Sequence, residues 1–93
     1  MAAITKTVPL RPVGVLSKAM TADGKIKANP GLLWGWSCQA GSGTLHNSAD
    51  SSGAAIGYII TAETVFFSKP IPFSVELYLN ASGSNDRIVV YYE

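Results

Sequence analysis

Residues 31–40 read Gly31-Leu32-Leu33-Trp34-Gly35-Trp36-Ser37-Cys38-Gln39-Ala40. The stretch alternates: Leu32, Trp34, Trp36, Cys38 and Ala40 fall on one side, and Leu33, Gly35, Ser37 and Gln39 on the other. A period of two is the pattern of a strand with one face on a core. Both tryptophans of the chain lie on that side, and each can bury about 200 Å². Trp34 and Trp36 are therefore expected at the centre of the core, with the rest of the chain built over this strand.

Toward the C-terminus the sequence breaks into short strands separated by turn formers. Thr44 to Asn47 is a short strand, and Asn47-Ser-Ala-Asp-Ser-Ser-Gly53 is a polar loop. Ala54 to Thr61 is a strand, and Val65 to Phe67 is a short apolar piece. Pro70 and Pro72 punctuate the entry to Phe73–Asn80, where Phe73, Val75, Leu77 and Leu79 are expected to face the core. Ala81 to Asn85 reads as a hairpin loop, and Arg87 to Glu93 as the last strand. No window carries a helical apolar stripe. Short strands between Gly, Ser and Asn turns predict an all-β fold, a small antiparallel β-sandwich or jelly roll.

Toward the N-terminus the character changes at Asn29-Pro30-Gly31, a clear break. Residues 1–30 carry Lys6, Arg11, Lys18, Lys25 and Lys27 against Asp23, a net +4, and residues 31–93 sum to −3. Pro9 and Pro12 remove backbone donors and block a helix, so Ile4 to Leu10 reads as extended, an edge strand or an arm without regular pairing. Val13 to Ala19 reads as a short strand. Thr21-Ala-Asp-Gly24 reads as a tight turn with Gly24 at positive φ, returning Lys25–Ala28 onto residues 15–20. The division expected is an extended basic arm over 1–30 and a sandwich over 31–93, with the five cations as docking residues.

Composition narrows the class. A chain of 93 residues makes one domain and buries about 60–65% of its unfolded surface. Charged residues are 14% of the chain, against roughly 25% in ordinary soluble domains; such a surface is easily desolvated and suits packing against partners. A single cysteine, Cys38, excludes an internal disulfide framework. On the apolar side of its strand it reads as a small buried hydrophobe. No segment reaches the ~20 apolar residues of a membrane helix, and the first 20 residues lack the apolar core of a signal peptide. The expected site of synthesis is a cytosol, without processing, so the sequon Asn80-Ala81-Ser82 is set aside.

The motifs of chemistry fail on spacing. Cys38, His46 and Asp50 supply triad residue types, but such sites are defined by geometry; Cys38 is expected to face the core and His46 to lie beside a loop, at the surface or a strand end. One His and one Cys do not make a zinc site within a subunit. Asn47, Asp50, Ser51 and Ser52 have the composition of a calcium loop without its spacing. Gly41-Ser42-Gly43 lacks the lysine of a phosphate loop. Gly35-Trp36-Ser37-Cys38-Gln39 misses the final glycine of a nucleophile elbow. No catalytic, cofactor or metal residues are assigned. The dispersed cations favour an acidic protein surface over nucleic acid as partner. Tyr78, Val89 and Tyr91 point away from the core in this reading and are the candidate subunit interface, since Tyr is enriched there.

From Gly31 onward the order of features resembles the small all-β virion proteins of tailed bacteriophages. The residues that carry the likeness are LLWGWS, GTLHN, NSADSSG, AAIGYIIT, PIPFSVELYL and RIVVYYE, about two-thirds of the chain. The resemblance implies a structural virion protein of the capsid decoration (cement) or head-fibre type. It implies a homotrimer fixed to the major capsid protein by an N-terminal segment, with no cofactor, no membrane and no enzymatic activity. The alternatives are a carbohydrate- or receptor-binding fibre module and, behind it, a small nucleic-acid-binding barrel.

Overall fold

A computed structural model of the chain describes residues 14–83 and 85–93. Eight strands run in order: β1 (Leu16–Met20), β2 (Gly24–Lys27), β3 (Gly31–Ala40), β4 (Gly43–Asn47), β5 (Ala55–Ile59), β6 (Glu63–Phe73), β7 (Leu77–Ala81) and β8 (Arg87–Tyr92). They form two antiparallel four-stranded sheets. Sheet I has the order β1-β8-β3-β6, and sheet II the order β2-β7-β4-β5. The all-β sandwich expected from the turn spacing is the architecture found. Among the described residues no helix is long and apolar enough to cross a membrane.

The core lies between the sheets. Sheet I contributes Met20, Leu33, Trp36, Cys38, Phe73, Ile88 and Val90, and sheet II contributes Ile26, Leu45, Ile59, Leu77 and Leu79. Leu33, Leu45, Leu77, Leu79 and Val90 are fully buried. Loss of one such leucine to alanine costs about 2–5 kcal/mol in a packed core.

Three sequence expectations are corrected here. The N-terminal boundary is the first. β1 pairs with β8 and β2 pairs with β7, so residues 16–27 belong to the two sheets rather than to an arm. Val15, Met20 and Ile26 are buried; their burial outweighs the basic charge around them. Thr21–Asp23 carries the chain from one sheet to the other instead of turning a hairpin. Gly24 is not at positive φ; a β carbon there would stand 2.8 Å from the methyl of Met20. The remaining segment, residues 1–13, lies outside the described residues, and with it Lys6 and Arg11.

The second correction concerns β6. It is one 11-residue strand that contains both Pro70 and Pro72. A strand tolerates proline when it lies at a sheet edge, and β6 is the edge of sheet I. It ends at Phe73, after which the chain crosses to sheet II. The crossing is pinned by Asn47, whose Oδ1 accepts from the Val75 amide at 2.8 Å and whose Nδ2 donates to Ser74 Oγ at 3.2 Å. That turn points Val75 outward, 50% exposed, so Val75 is not a core residue, while Phe73 and Leu77 are.

The third concerns the tryptophans. Trp36 is in the core, but Trp34 is not. Leu33 pairs with Tyr92 and Gly35 with Tyr91, which leaves Trp34 as an extra residue in β3. Opposite the same point, four residues of β6 (67–70) face this single residue of β3, since Leu33 pairs with Ile71 and Gly35 with Phe66. A β-bulge of this kind resets the alternation by one residue. Leu33, Trp36 and Cys38 then face inward, and Trp34 turns out. Gly35 absorbs the distortion at φ 153°, and a β carbon there would stand 2.1 Å from the Val65 carbonyl oxygen.

Candidate docking face

The bulge gathers an aromatic cluster on the outer side of sheet I. Tyr91 of β8, Gly35 of β3 and Phe66 of β6 are register neighbours across three adjacent strands. With only a hydrogen on the middle residue, the flanking rings meet over it: the Phe66 and Tyr91 centroids are 5.6 Å apart. Trp34 stacks on Phe66 at 6.0 Å with a 30° interplanar angle. All three rings are half-buried. Contacts of this geometry are worth about 0.5–1.5 kcal/mol each beyond their burial. Beside the rings, Ser37 and Thr64 hydroxyls are hydrogen-bonded at 3.1 Å. A shallow apolar depression bounded by Ala19, Ser37, Gln39 and Val89 continues the face toward β1.

One rim of this face is acidic. Glu93 extends β8 and exchanges backbone hydrogen bonds with Leu32, 2.8 Å in each direction. Its side chain accepts a hydrogen bond from Trp34 Nε1 at 3.1 Å. The described chain begins at the same rim: Gly14 turns at φ 95°, and a β carbon on it would lie 3.3 Å from the second carboxylate oxygen of Glu93.

The residues expected at the subunit interface divide. Val89 and Tyr91 lie on the outer side of sheet I. Tyr78 lies in β7 of sheet II, registered against His46 on one side and Lys25 on the other. β7 and β8 are consecutive but belong to different sheets; the 82–86 connection crosses the sandwich and is not a hairpin loop. The docking cations divide too. Lys18 is in β1, while Lys25 and Lys27 are in β2 on the other sheet. Lys25 pairs with Glu76 at 2.8 Å, a partly exposed pair worth about 1 kcal/mol or less.

The side chains with chemical potential are held in structural roles. His46 is buried, 7% exposed, and not at the surface. Its Nδ1 donates to the Gly53 carbonyl at 2.9 Å, and Nε2 is 2.7 Å from the Thr44 hydroxyl. Cys38 donates to the Gly41 carbonyl at 3.2 Å. Burial pushes its thiol above the ordinary range, and the Asp86 carboxylate adds to the rise. Asp50 accepts from the Ser52 hydroxyl and, at 2.9 Å, from the Ser52 amide; these bonds hold its carboxyl below the usual range. Cys38, His46 and Asp50 make no hydrogen bonds with one another. Among the described residues no three His, Cys, Asp or Glu side chains gather as a metal site would require.

Trp34, Phe66 and Glu93 were not singled out as surface residues by the sequence pattern. The signal for the first was present in Trp34-Gly35-Trp36: a glycine inside a strand marks a bulge. No family model, curated protein or solved structure matches this chain.

Proposed function

We propose that this chain is a structural virion protein of a tailed phage, a capsid decoration (cement) protein. In this reading it acts as a homotrimer, held on the head by the outer face of sheet I and by an N-terminal segment. The observation that supports the reading is the Trp34–Phe66–Tyr91 cluster. It is an aromatic surface separate from the core, and aromatic rings are enriched at the buried centres of protein interfaces. Decoration would clamp neighbouring subunits of the major capsid protein. Binding the assembled shell and not its free subunits stabilises the shell by mass action.

Two measurements test it together. The solution mass of the purified protein should be three times 9.8 kDa. The protein should also co-sediment with mature heads, and Trp34→Ala should reduce the bound fraction without unfolding the chain. A folded wild-type protein that ignores heads removes the decoration role.

One observation favours a second reading. Trp34 is half-exposed, not buried as the alternation predicted, and it stacks with Phe66 as a flat platform. Such a platform suits a sugar ring, as in a carbohydrate-binding fibre module. Quenching of Trp34 fluorescence by oligosaccharides, with no binding to heads, is the outcome that selects it.

A further inference from the structure

We infer that the outer face of sheet II carries a binding site for a neutral sugar ring, with Tyr58 as its stacking platform and Thr44 and Asn80 as its hydrogen-bonding groups. The inference goes beyond the virion reading and does not depend on it. This face lies on the opposite side of the sandwich from the Trp34–Phe66–Tyr91 cluster.

Strand register builds the site. Thr44 of β4 is registered with Tyr58 of β5 on one side and with Asn80 of β7 on the other. Directly opposed residues of an antiparallel pair share a face. The adjacent Leu45, Ile59 and Leu79 are in the core, so Tyr58, Thr44 and Asn80 stand in a row on the outer side. Neighbouring strands are about 4.8 Å apart, which gives the row a span of roughly 10 Å. Tyr58 and Ile60 are 70% and 57% exposed. With Ser42, Thr44, Asn80 and Ser82 they border a shallow depression of about 360 Å³. Ligand sites run from about 300 to 1,000 Å³, so this one suits a small ligand.

The chemistry of the border selects the ligand. Among the described residues that border the depression none is charged. Nucleic acid requires cations against its phosphates, and an ionic peptide requires a complementary charge; neither finds one here. A sugar has the two kinds of surface that this border matches. Its ring C–H groups stack on the electron-rich face of an aromatic side chain, and its hydroxyls both donate and accept. Asn80 is exposed, and its amide also does both.

Thr44 is held in one role by a buried group. His46 Nδ1 donates to the Gly53 carbonyl, and Nε2 is 2.7 Å from the Thr44 hydroxyl. In an uncharged imidazole the nitrogen without a hydrogen accepts. The Thr44 hydroxyl then donates to Nε2, and its oxygen lone pairs are left to accept from a ligand hydroxyl. His46 is thus a positioning residue that does not itself touch the sugar. Ser82 is committed elsewhere: it accepts from the Ser42 amide at 3.2 Å and donates to Asp86 at 3.0 Å. These bonds anchor its border of the depression.

Titration of the isotope-labelled full-length chain with methyl glucoside, methyl galactoside and methyl mannoside tests the site by NMR. At least one of them should shift the Asn80 side-chain amide and the backbone amides of Thr44 and Tyr58 saturably, with a Kd on the order of 1 mM for so open a site. The Trp34 indole resonance should stay in place. Tyr58→Ala should weaken binding about tenfold, and Tyr58→Phe should not, because the ring and not its hydroxyl makes the stack. Thr44→Val should weaken it about fivefold. The indole resonance of buried Trp36 reports that each variant is folded. No saturable shift with any of the three glycosides, or equal shifts in wild type and Tyr58→Ala, overturns the proposal. Shifts centred on Trp34 also overturn it and place the sugar on sheet I. None of these readouts involves a capsid. A protein that passes them and ignores heads keeps this site and loses the virion role; one that fails them and binds heads keeps the role without the site.

Discussion

The six-membered ring of Trp36 lies directly on Gly57. A β carbon at residue 57 would stand 2.8 Å from Cζ3 and 3.1 Å from Cη2 of the indole. Trp36 comes from sheet I and Gly57 from sheet II, so this contact sets how closely the sheets approach at the middle of the sandwich. The indole also meets Phe67 edge-on at 5.6 Å, a contact that it would have to give up to move aside. Gly57→Ala is expected to destabilise the fold by about 1–3 kcal/mol, the usual cost of overpacking. Urea unfolding measures it. In the background of Trp36→Phe the same substitution should cost less, and the difference is the coupling energy between the two sites.

Asp86 is the second internal constraint. It is 6% exposed, and its Oδ2 accepts from the Ser82 amide and hydroxyl, both at 3.0 Å, and from the Gly83 amide at 3.3 Å. Asp86→Ala removes that acceptor and should cost about 1–3 kcal/mol. Gly41→Ala should be at least as damaging. Residue 41 is at φ 89°, and a β carbon there would stand 2.2 Å from the Asp86 carboxylate. Thermal unfolding of the two variants decides the order.

Cys38 should be slow to react. Its thiol is buried, and burial together with the Asp86 charge raises its proton affinity above that of a free cysteine. The thiolate is the nucleophile, so labelling by a thiol reagent at pH 8 should be complete in denaturant and nearly absent in the folded protein. The same shift links to stability with a defined sign. A folded pKa above the unfolded value contributes stability below the unfolded pKa, and that contribution is lost as pH rises toward the folded value. Cys38→Ser should flatten this alkaline loss.

Asp50 works in the opposite direction. Its carboxyl is held down by Ser52, first through the hydroxyl and then through the amide. A depressed folded pKa contributes stability above the unfolded pKa of about 3.9, lost as pH falls through the folded value. Ser52→Ala should lower stability slightly at neutral pH and leave it unchanged at the acid end, so that the fall between the two becomes smaller. Unfolding at a series of pH values from 7 down to 3 reads the difference.

The all-β character was legible because turn formers recur at short intervals and the apolar residues alternate between them. The placement of individual side chains was not, and each failure has a local cause. Trp34-Gly35-Trp36 alternates perfectly on paper, but the bulge inserts one residue, and a single insertion exchanges inside for outside. Val75 sits in an unbroken alternation from Phe73 to Leu79, but Asn47 binds the backbone there and ends one strand before the next begins. Pro70 and Pro72 looked like punctuation, and they lie inside a strand because that strand is an edge. The charge division at residue 30 was real in composition and carried no structural boundary, since Lys18, Lys25 and Lys27 sit on strands whose apolar partners are buried. Tyr91 and Val89 were placed on the outer surface by their alternation with Val90. The residues that complete their surface, Phe66 and Glu93, are remote in sequence and are joined to them only by strand register.

The position of β8 has a consequence for how the protein is made. The last strand in the chain lies inside sheet I, between β1 and β3, with Leu16 against Tyr92 and Trp36 against Val90. During synthesis β1 and β3 emerge early and have no shared neighbour until residues 87–92 leave the ribosome. Sheet I therefore closes only after residues 87–92 are out, and a nascent chain stopped at residue 86 lacks the strand that joins β1 to β3. Long-range pairing of this kind folds slowly. The half-made protein exposes the strand edges of β1 and β3 that β8 covers in the finished sheet.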